Sequence, residues 1–372
     1  MTAQRETSLR ERLRRAQEGM RRERVGLVVL PLGSNLRYLS GFSDEPAERL
    51  LALLLPADGD PLFLVPALYE EQVRRTSPIQ ELRVWKDEEG VDGILAKAIA
   101  DLRAERATIA VDESMGSGFL LLFQRVAPRA SYRGVSAILG PLRATKDPEE
   151  LLAMERASAL ADEAFARASE LRIAGMTELS LARVLEQTMV ELGADGAAFE
   201  TLVASGPNSA LPHHRAGARR IEVGDVVILD YGCRVDGYCS DITRTVVCGK
   251  ATDEVVRVYE TVREAQERAR GAVRPGVEAE VVDAAARTVI AGAGYGDRFI
   301  HRTGHGIGLD VHEPPYIVAG NKGRLSPGMT FSIEPGIYFP GRWGVRIEDL
   351  VRVTETGVGV LNKAPHELQE VR

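Results

Sequence analysis

The apolar run Val226-Val227-Ile228-Leu229 ends in Asp230-Tyr231-Gly232. A carboxylate at the end of such a strand is costly to bury unless something pairs with it. Downstream, Asp236-Gly237 is the dipeptide favoured in two-residue hairpin turns. That turn would set Asp241 opposite Gly232 and Asp230 opposite Thr243. Facing residues share one side of a sheet, so Asp230 and Asp241 become diagonal neighbours, roughly 7–8 Å apart at the backbone. Their carboxylates could converge on one cation, or on two cations about 3.5–4 Å apart. The competing reading is a hairpin carrying two solvated aspartates, which is the commoner situation for any single Asp.

A second pair has the same form. Phe331-Ser332-Ile333-Glu334-Pro335-Gly336 and Gly344-Val345-Arg346-Ile347-Glu348-Asp349-Leu350 flank Pro340-Gly341-Arg342. A hairpin centred on Gly341 puts Glu334 opposite Glu348. Like charges facing across a sheet repel, so a cation between them is the economical explanation. The alternative is that Arg346, two residues before Glu348, neutralises one glutamate by itself.

All six histidines lie at residue 213 or beyond, three of them in His301-Arg302-Thr303-Gly304-His305-Gly306-Ile307-Gly308-Leu309-Asp310-Val311-His312. Histidines this dense are hard to explain as core packing, and the interleaved glycines are expected to let backbone approach a site closely. His213 adds a fourth candidate. Four carboxylates and one imidazole make an oxygen-rich donor set, which suits Mn²⁺, with Co²⁺ or Zn²⁺ as alternatives.

These residues need elements to hold them. The first 140 or so residues read as a small mixed α/β domain. A charged helix (about Leu9 to Arg24) precedes an apolar strand, Val25 to Pro31. Leu50 to Leu55 and Pro61 to Pro66 form a hairpin, and a helix around Val91 to Arg103 and a strand Ala107 to Val111 follow. Neither a phosphate loop nor a dinucleotide fingerprint is present. The boundary falls near Gly140 to Asp147, giving domains at 1–145 and 146–372. Asp147 is placed as a helix N-cap, with Pro148 in the first helical position and Glu150 third after the cap. Met154, Ala157, Ala161, Ala164, Ala168 and Leu171 then form one buried stripe. A second helix follows Thr177. Strands dominate Phe199 to Cys248, helices Thr252 to Ala293, and strands Thr330 to Val353, an α+β pattern with an antiparallel sheet.

Composition narrows the function. The chain has 372 residues, 44% hydrophobic and 27% charged, as expected of a soluble globular protein with room for two cores. Its net charge of −7 argues against nucleic acid or an anionic membrane as partner. No run approaches the roughly 18 apolar residues of a membrane span. The polar start lacks the apolar core of a signal peptide, so a cytoplasmic location is expected. Three cysteines without a CxxC speak against a disulfide framework or a zinc knuckle.

The segments LDYG at Asp230, SDITRT at Asp241, HRTGHGIGLDVHE, FSIEPGIY at Glu334 and VRIED at Glu348 resemble the pita-bread metallopeptidases. That family includes Xaa-Pro dipeptidases (prolidases), aminopeptidase P and methionine aminopeptidases. The resemblance spans most of residues 146–372, and the first 140 residues resemble the N-terminal domain of the proline-specific and creatinase branches. It implies a pita-bread catalytic domain in which Asp230 and Asp241 bind one metal, His305 ligates the other, and Glu334 and Glu348 contact the pair, one of them bridging. The implied catalytic set is His213, His301, His312, Glu334 and Arg346, with Tyr338 beside Arg346 and Tyr316 and Tyr338 as substrate-binding candidates. One departure stands out. Many prolidases have an arginine four residues after the histidine matching His312, and here that position is Tyr316. The implied activity is hydrolysis of the Xaa-Pro bond of di- or short peptides by a water that two cations share. Aminopeptidase P activity on longer peptides is the alternative, and a non-catalytic binding protein a remote one. The family also implies a homodimer.

Overall fold

The computed structural model describes residues 3–45 and 48–372. The chain divides into two compact units, Met1–Arg143 and Ala144–Arg372.

The first unit is built on a six-stranded mixed sheet. Its strands run, edge to edge, Leu82–Trp85, Leu62–Pro66, Ala52–Pro56, Leu27–Pro31, Thr108–Val111 and Ser131–Gly134. Every residue of the three strands Leu27–Pro31, Ala52–Pro56 and Leu62–Pro66 is buried. That explains why they read as continuous apolar runs and not as alternating ones. The hairpin pairs Leu53 with Phe63. The first helix, Ala3–Glu23, begins earlier than its apolar content suggests; its first turns are lined with ion pairs such as Arg10 to Glu6 at 2.7 Å, which support a solvated helix.

The second unit opens with a capping box. The Asp147 carboxylate accepts from the Glu149 and Glu150 amides while the Glu150 carboxylate accepts from the Asp147 amide, and the helix runs Pro148–Ser169. Met154, Ala157, Ala161, Ala164 and Ala168 are buried; Leu171 lies past the helix end and is only partly buried. Four small residues in the stripe let the helix sit close to the sheet, where Tyr231 donates its hydroxyl to the Ala161 carbonyl at 3.0 Å.

That packing decides where the chemistry lies. Val227, Leu229 and Tyr231 face this helix and its neighbour Glu178–Glu191. Alternation along a strand therefore turns Ile228 and Asp230 to the opposite face, where Ile228 clusters with Tyr338. The strand Val226–Tyr231 is central in a four-stranded sheet, between Leu202–Ser205 and Ile242–Cys248, with Gln369–Val371 at the far edge. A five-stranded sheet runs Glu313–Ile317, Gly304–Gly306, Thr330–Ile333, Asp349–Val353 and Val358–Val360. Helices Asp253–Ala272 and Ala279–Gly292 pack against its Phe331, Ile333 and Val351.

The glycines around His305 do something other than expected. Gly304 and Gly306 belong to an internal strand, and a Cβ on Gly304 would lie 1.8 Å from the Ser332 carbonyl oxygen. The space serves a neighbouring strand, not a ligand, because two backbones already close on it. Among the described residues no helix is long and apolar enough to cross a membrane.

Candidate metal centre

Asp236 and Gly237 both have positive φ (50° and 78°), the two-residue turn that matches strand twist. The resulting register pairs Val235 with Tyr238, Tyr231 with Ile242 and Asp230 with Thr243. Gly232 is required beside Asp241, because a Cβ there would fall 1.9 Å from the Ser240 carbonyl oxygen. Asp230 and Asp241 thus lie on one face of the hairpin.

The second hairpin is interrupted. Gly336 pairs with Arg346, and Ile333 pairs with Asp349 in a separate ladder. Both rungs belong to one register, which places Glu334 and Glu348 at facing positions in the gap between them. Pro335, with no N–H, keeps the ladder from closing there. Glu348 turns instead to a third strand. Its amide donates to the Thr243 carbonyl at 3.1 Å, and its Oε2 accepts the Thr243 hydroxyl at 2.7 Å.

Asp241, His305 and Glu348 are all buried, and their ligand atoms lie within 4.8 Å of one another. His305 Nε2 is 3.8 Å from Asp241 Oδ2 and 3.3 Å from Glu334 Oε1. Asp230 joins this group through Arg346, which donates to its Oδ2 at 2.5 Å. The same guanidinium donates to Thr243 Oγ1 at 3.1 Å and to the Tyr338 hydroxyl oxygen at 3.0 Å. Arg346 therefore forms its ion pair with Asp230 and hydrogen-bonds neither glutamate, although its charge still eases the ionisation of both.

Three observations show that this group fits a cation. Asp241 Oδ1 and Glu348 Oε1 are buried with no hydrogen-bond partner among the described residues, a costly state for carboxylate oxygens. His305 Nδ1 lies 3.2 Å from the Gly306 carbonyl oxygen, which can only accept, so Nδ1 carries the proton. A neutral His305 then aims the lone pair of Nε2 at carboxyl groups that, once ionised, also offer only lone pairs. Finally, the acids resist ionisation. Burial, then the charges of Glu348 and Asp230, hold the Asp241 carboxyl well above the usual range. Burial and the charge of Glu334 do the same to Glu348, and burial lifts Glu334 to about 7. Burial, reinforced by His312, lowers His305 to about 3. A positive ion among these atoms satisfies the lone pairs and offsets the repulsion.

The remaining candidates surround this group. His301 Nδ1 donates to the Arg302 carbonyl at 2.8 Å, and its Nε2 lies 2.8 Å from the Tyr338 hydroxyl. Nε2 is therefore the acceptor, and Tyr338 donates into it. Burial, then Arg346, depresses His301 to about 4. Tyr338 is 2% exposed with its hydroxyl held from both sides, so it stands behind the centre and supports it. His312 is exposed and sets its ring edge-on to His305, centroids 4.1 Å apart. His213 is exposed, on the loop after the turn Gly206–Ala210, and a charge on it would depress both His301 and His312. Tyr316 faces His305 in the adjacent ladder.

Some supporting residues were not singled out from the sequence. Thr243 was legible as the partner of Asp230 in the hairpin, but its bond to Glu348 was not. Lys146 and Glu313 form a buried ion pair at 2.6 Å, one residue from His312. Arg244 and Asp349 form another at 2.8 Å, with His366 and Gln266 also on Asp349. Nothing local in the sequence marks either pair.

Metallopeptidase family M24 matches residues 153–355, and the Creatinase/Prolidase N-terminal domain matches residues 12–145. A protein named probable dipeptidase PepE from Mycobacterium tuberculosis is 44% identical, over 92% of this chain and 91% of its own length. An Xaa-Pro dipeptidase from Pyrococcus furiosus is 36% identical, over 97% of this chain and 100% of its own. The crystal structure of a recombinant prolidase from Thermococcus sibiricus superposes with a TM-score of 0.93 at 43% identity, covering 96% of this chain and 98% of that one.

Proposed function

The chain belongs to metallopeptidase family M24, and from that premise we propose that it is an exopeptidase hydrolysing the Xaa-Pro bond of dipeptides. One observation carries this reading: the buried convergence of Asp241, His305 and Glu348, with two carboxylate oxygens lacking a hydrogen-bond partner among the described residues. Relatives named Xaa-Pro dipeptidase support the choice of substrate.

In this reading Asp230, Asp241, His305, Glu334 and Glu348 hold a pair of divalent cations, Mn²⁺ being the best match to the oxygen-rich set. When bound, such a pair supplies a Lewis acid and a water of lowered pKa at the scissile carbonyl. The protein's own groups do the rest. Arg346 and Thr243 fix the orientation of Asp230 and Glu348 through the bonds already described. His312, whose ring is disfavoured as a cation by partial desolvation and by the charge of Arg302, donates an N–H to the oxygen that gains charge as the carbonyl becomes tetrahedral. Glu334 takes the proton of the attacking water and returns it to the proline nitrogen. That proton is essential, because the nitrogen of a tertiary amide has none of its own and must leave as a secondary amine. His301, hydrogen-bonded to Tyr338, faces the substrate.

The finer points of the reading are a homodimer, a cytoplasmic location and a domain boundary at 145/146. The boundary is supported by the end of the N-terminal domain match at residue 145. Three buried free cysteines suit a reducing compartment.

The deciding experiment compares turnover of Xaa-Pro and Xaa-Pro-Yaa by metal-loaded and chelated protein. Turnover of the dipeptide that chelation abolishes is expected. Exclusive turnover of the longer peptide would make the protein an aminopeptidase P. Metal binding without turnover of either would make it a binding protein.

A further inference from the structure

We propose that Arg302 binds the free α-carboxylate of the substrate and so restricts the enzyme to dipeptides. This inference rests on the dipeptidase reading and names the residue that enforces it.

A dipeptide cut at its only peptide bond carries a carboxylate one residue beyond the scissile carbonyl, about 3.5 Å further along the chain. An anion so close to clustered metal ligands needs a cation of its own. The other arginines around the centre are committed to protein acids: Arg346 to Asp230, Arg244 to Asp349, and Arg287 to Asp283. Arg302 is not. Among the described residues its guanidinium has no carboxylate within ion-pair range and no hydrogen-bond acceptor, and its one recorded contact is with an aromatic ring. It is also partly buried, where an uncompensated charge is unfavourable.

Position favours the same conclusion. Arg302 follows His301 directly, and its guanidinium carbon lies 4.8 Å from the centroid of the Tyr316 ring. Tyr316 faces His305 across the ladder, so the two side chains share one side of the sheet. The guanidinium is thereby held at the rim of the metal centre, near enough that its charge is felt at His305, His312 and Glu334. Tyr316 is 37% exposed, so the assembly opens towards solvent. The cation–π contact with the ring restrains the guanidinium, whose N–H fork is not used by any protein acceptor among the described residues and suits a bidentate carboxylate. A longer peptide would present a neutral amide at this point and leave the cation unpaired, which is the physical basis for rejecting it.

The test uses metal-loaded protein with Ala-Pro and its C-terminal amide, Ala-Pro-NH₂. Wild type should prefer the acid. In Arg302→Met the acid-over-amide ratio of kcat/KM should fall about 10- to 100-fold, the range expected for losing a charge-assisted bond, with most of the change in KM. Arg302→Lys should retain part of the ratio, since it keeps the charge but not the fork. Melting temperature and metal content establish that each variant is folded and loaded, and Arg302→Lys carries the comparison if Arg302→Met is not. A ratio that stays at the wild-type value in both variants overturns the proposal while leaving the dipeptidase reading intact. A wild type that cleaves acid and amide equally also overturns it. A wild type that cleaves neither overturns the dipeptidase reading, and this inference with it.

Discussion

Arg346 donates to Asp230 at 2.5 Å, across 116 residues of sequence, and not to Glu348 two positions away. Among the described residues neither glutamate has a lysine or arginine ion-pair partner, which leaves the repulsion among the acids for a cation to offset. Replacing Arg346 by Met leaves Asp230 without its counter-charge. In chelated protein this should cost about 3–5 kcal/mol of unfolding free energy, measured by urea titration. The double variant with Asp230→Asn should recover part of the loss; additive losses would show that the pair is not coupled.

Glu348→Gln and Asp230→Asn should remove most of the bound metal and nearly all peptidase activity while leaving the fold. For Glu348→Gln there is a sharper expectation. Without metal at pH 8 the variant should be at least as stable as wild type, because the amide removes one of the like charges around Asp241. Calorimetry with and without Mn²⁺ reads both effects. Full metal content in either variant, with normal turnover, would sink the ligand assignment.

The metal-free protein should lose stability as pH rises. Asp241 and Glu348 are held well above the usual carboxylate range, and Glu334 is raised to about 7. A carboxyl whose folded pKa exceeds its unfolded value of about 4 contributes stability that is complete below that value. The contribution is lost as pH climbs through the folded pKa. The melting temperature of chelated protein should therefore fall between pH 5 and pH 8, and added divalent cation should flatten the decline. A chelated profile that rises over this interval would contradict the model of crowded acids.

His312 touches His305 by ring contact and is itself exposed. His312→Ala should lower kcat by about 10²–10³-fold, as expected for losing one oxyanion donor, at unchanged metal stoichiometry. Loss of metal in step with activity would make His312 a ligand instead.

Lys146 and Glu313 are buried together beside His312. Lys146→Met removes this ammonium from beside the buried Glu313 carboxylate and should destabilise by about 3–5 kcal/mol. The double change to two apolar residues should cost less than this single one, which thermal denaturation of the three variants can show.

Much of the site could be read from the chain because its geometry is local. Asp236-Gly237 dictates a two-residue turn, and that turn fixes which residue faces Asp230. The register around Gly341 likewise puts Glu334 and Glu348 opposite each other, although the interruption at Pro335 was not foreseen. The capping residues Asp147, Pro148 and Glu150 marked the helix start for the same reason. By contrast, the glycines beside His305 carried the right identity but suggested the wrong purpose. Nothing within that segment reveals that Ser332 would press against Gly304.

By itself, then, the sequence determined the donor types, their order and the turns that pair them, since each depends on a few adjacent residues. The tertiary structure decided which carboxylates stay without a partner, which acid Arg346 serves, and which nitrogen of His305 presents its lone pair. Those outcomes hinge on contacts such as Thr243 to Glu348, 105 residues apart. Such pairings form only when separate strands are packed together, and burial there sets the energy of every charge.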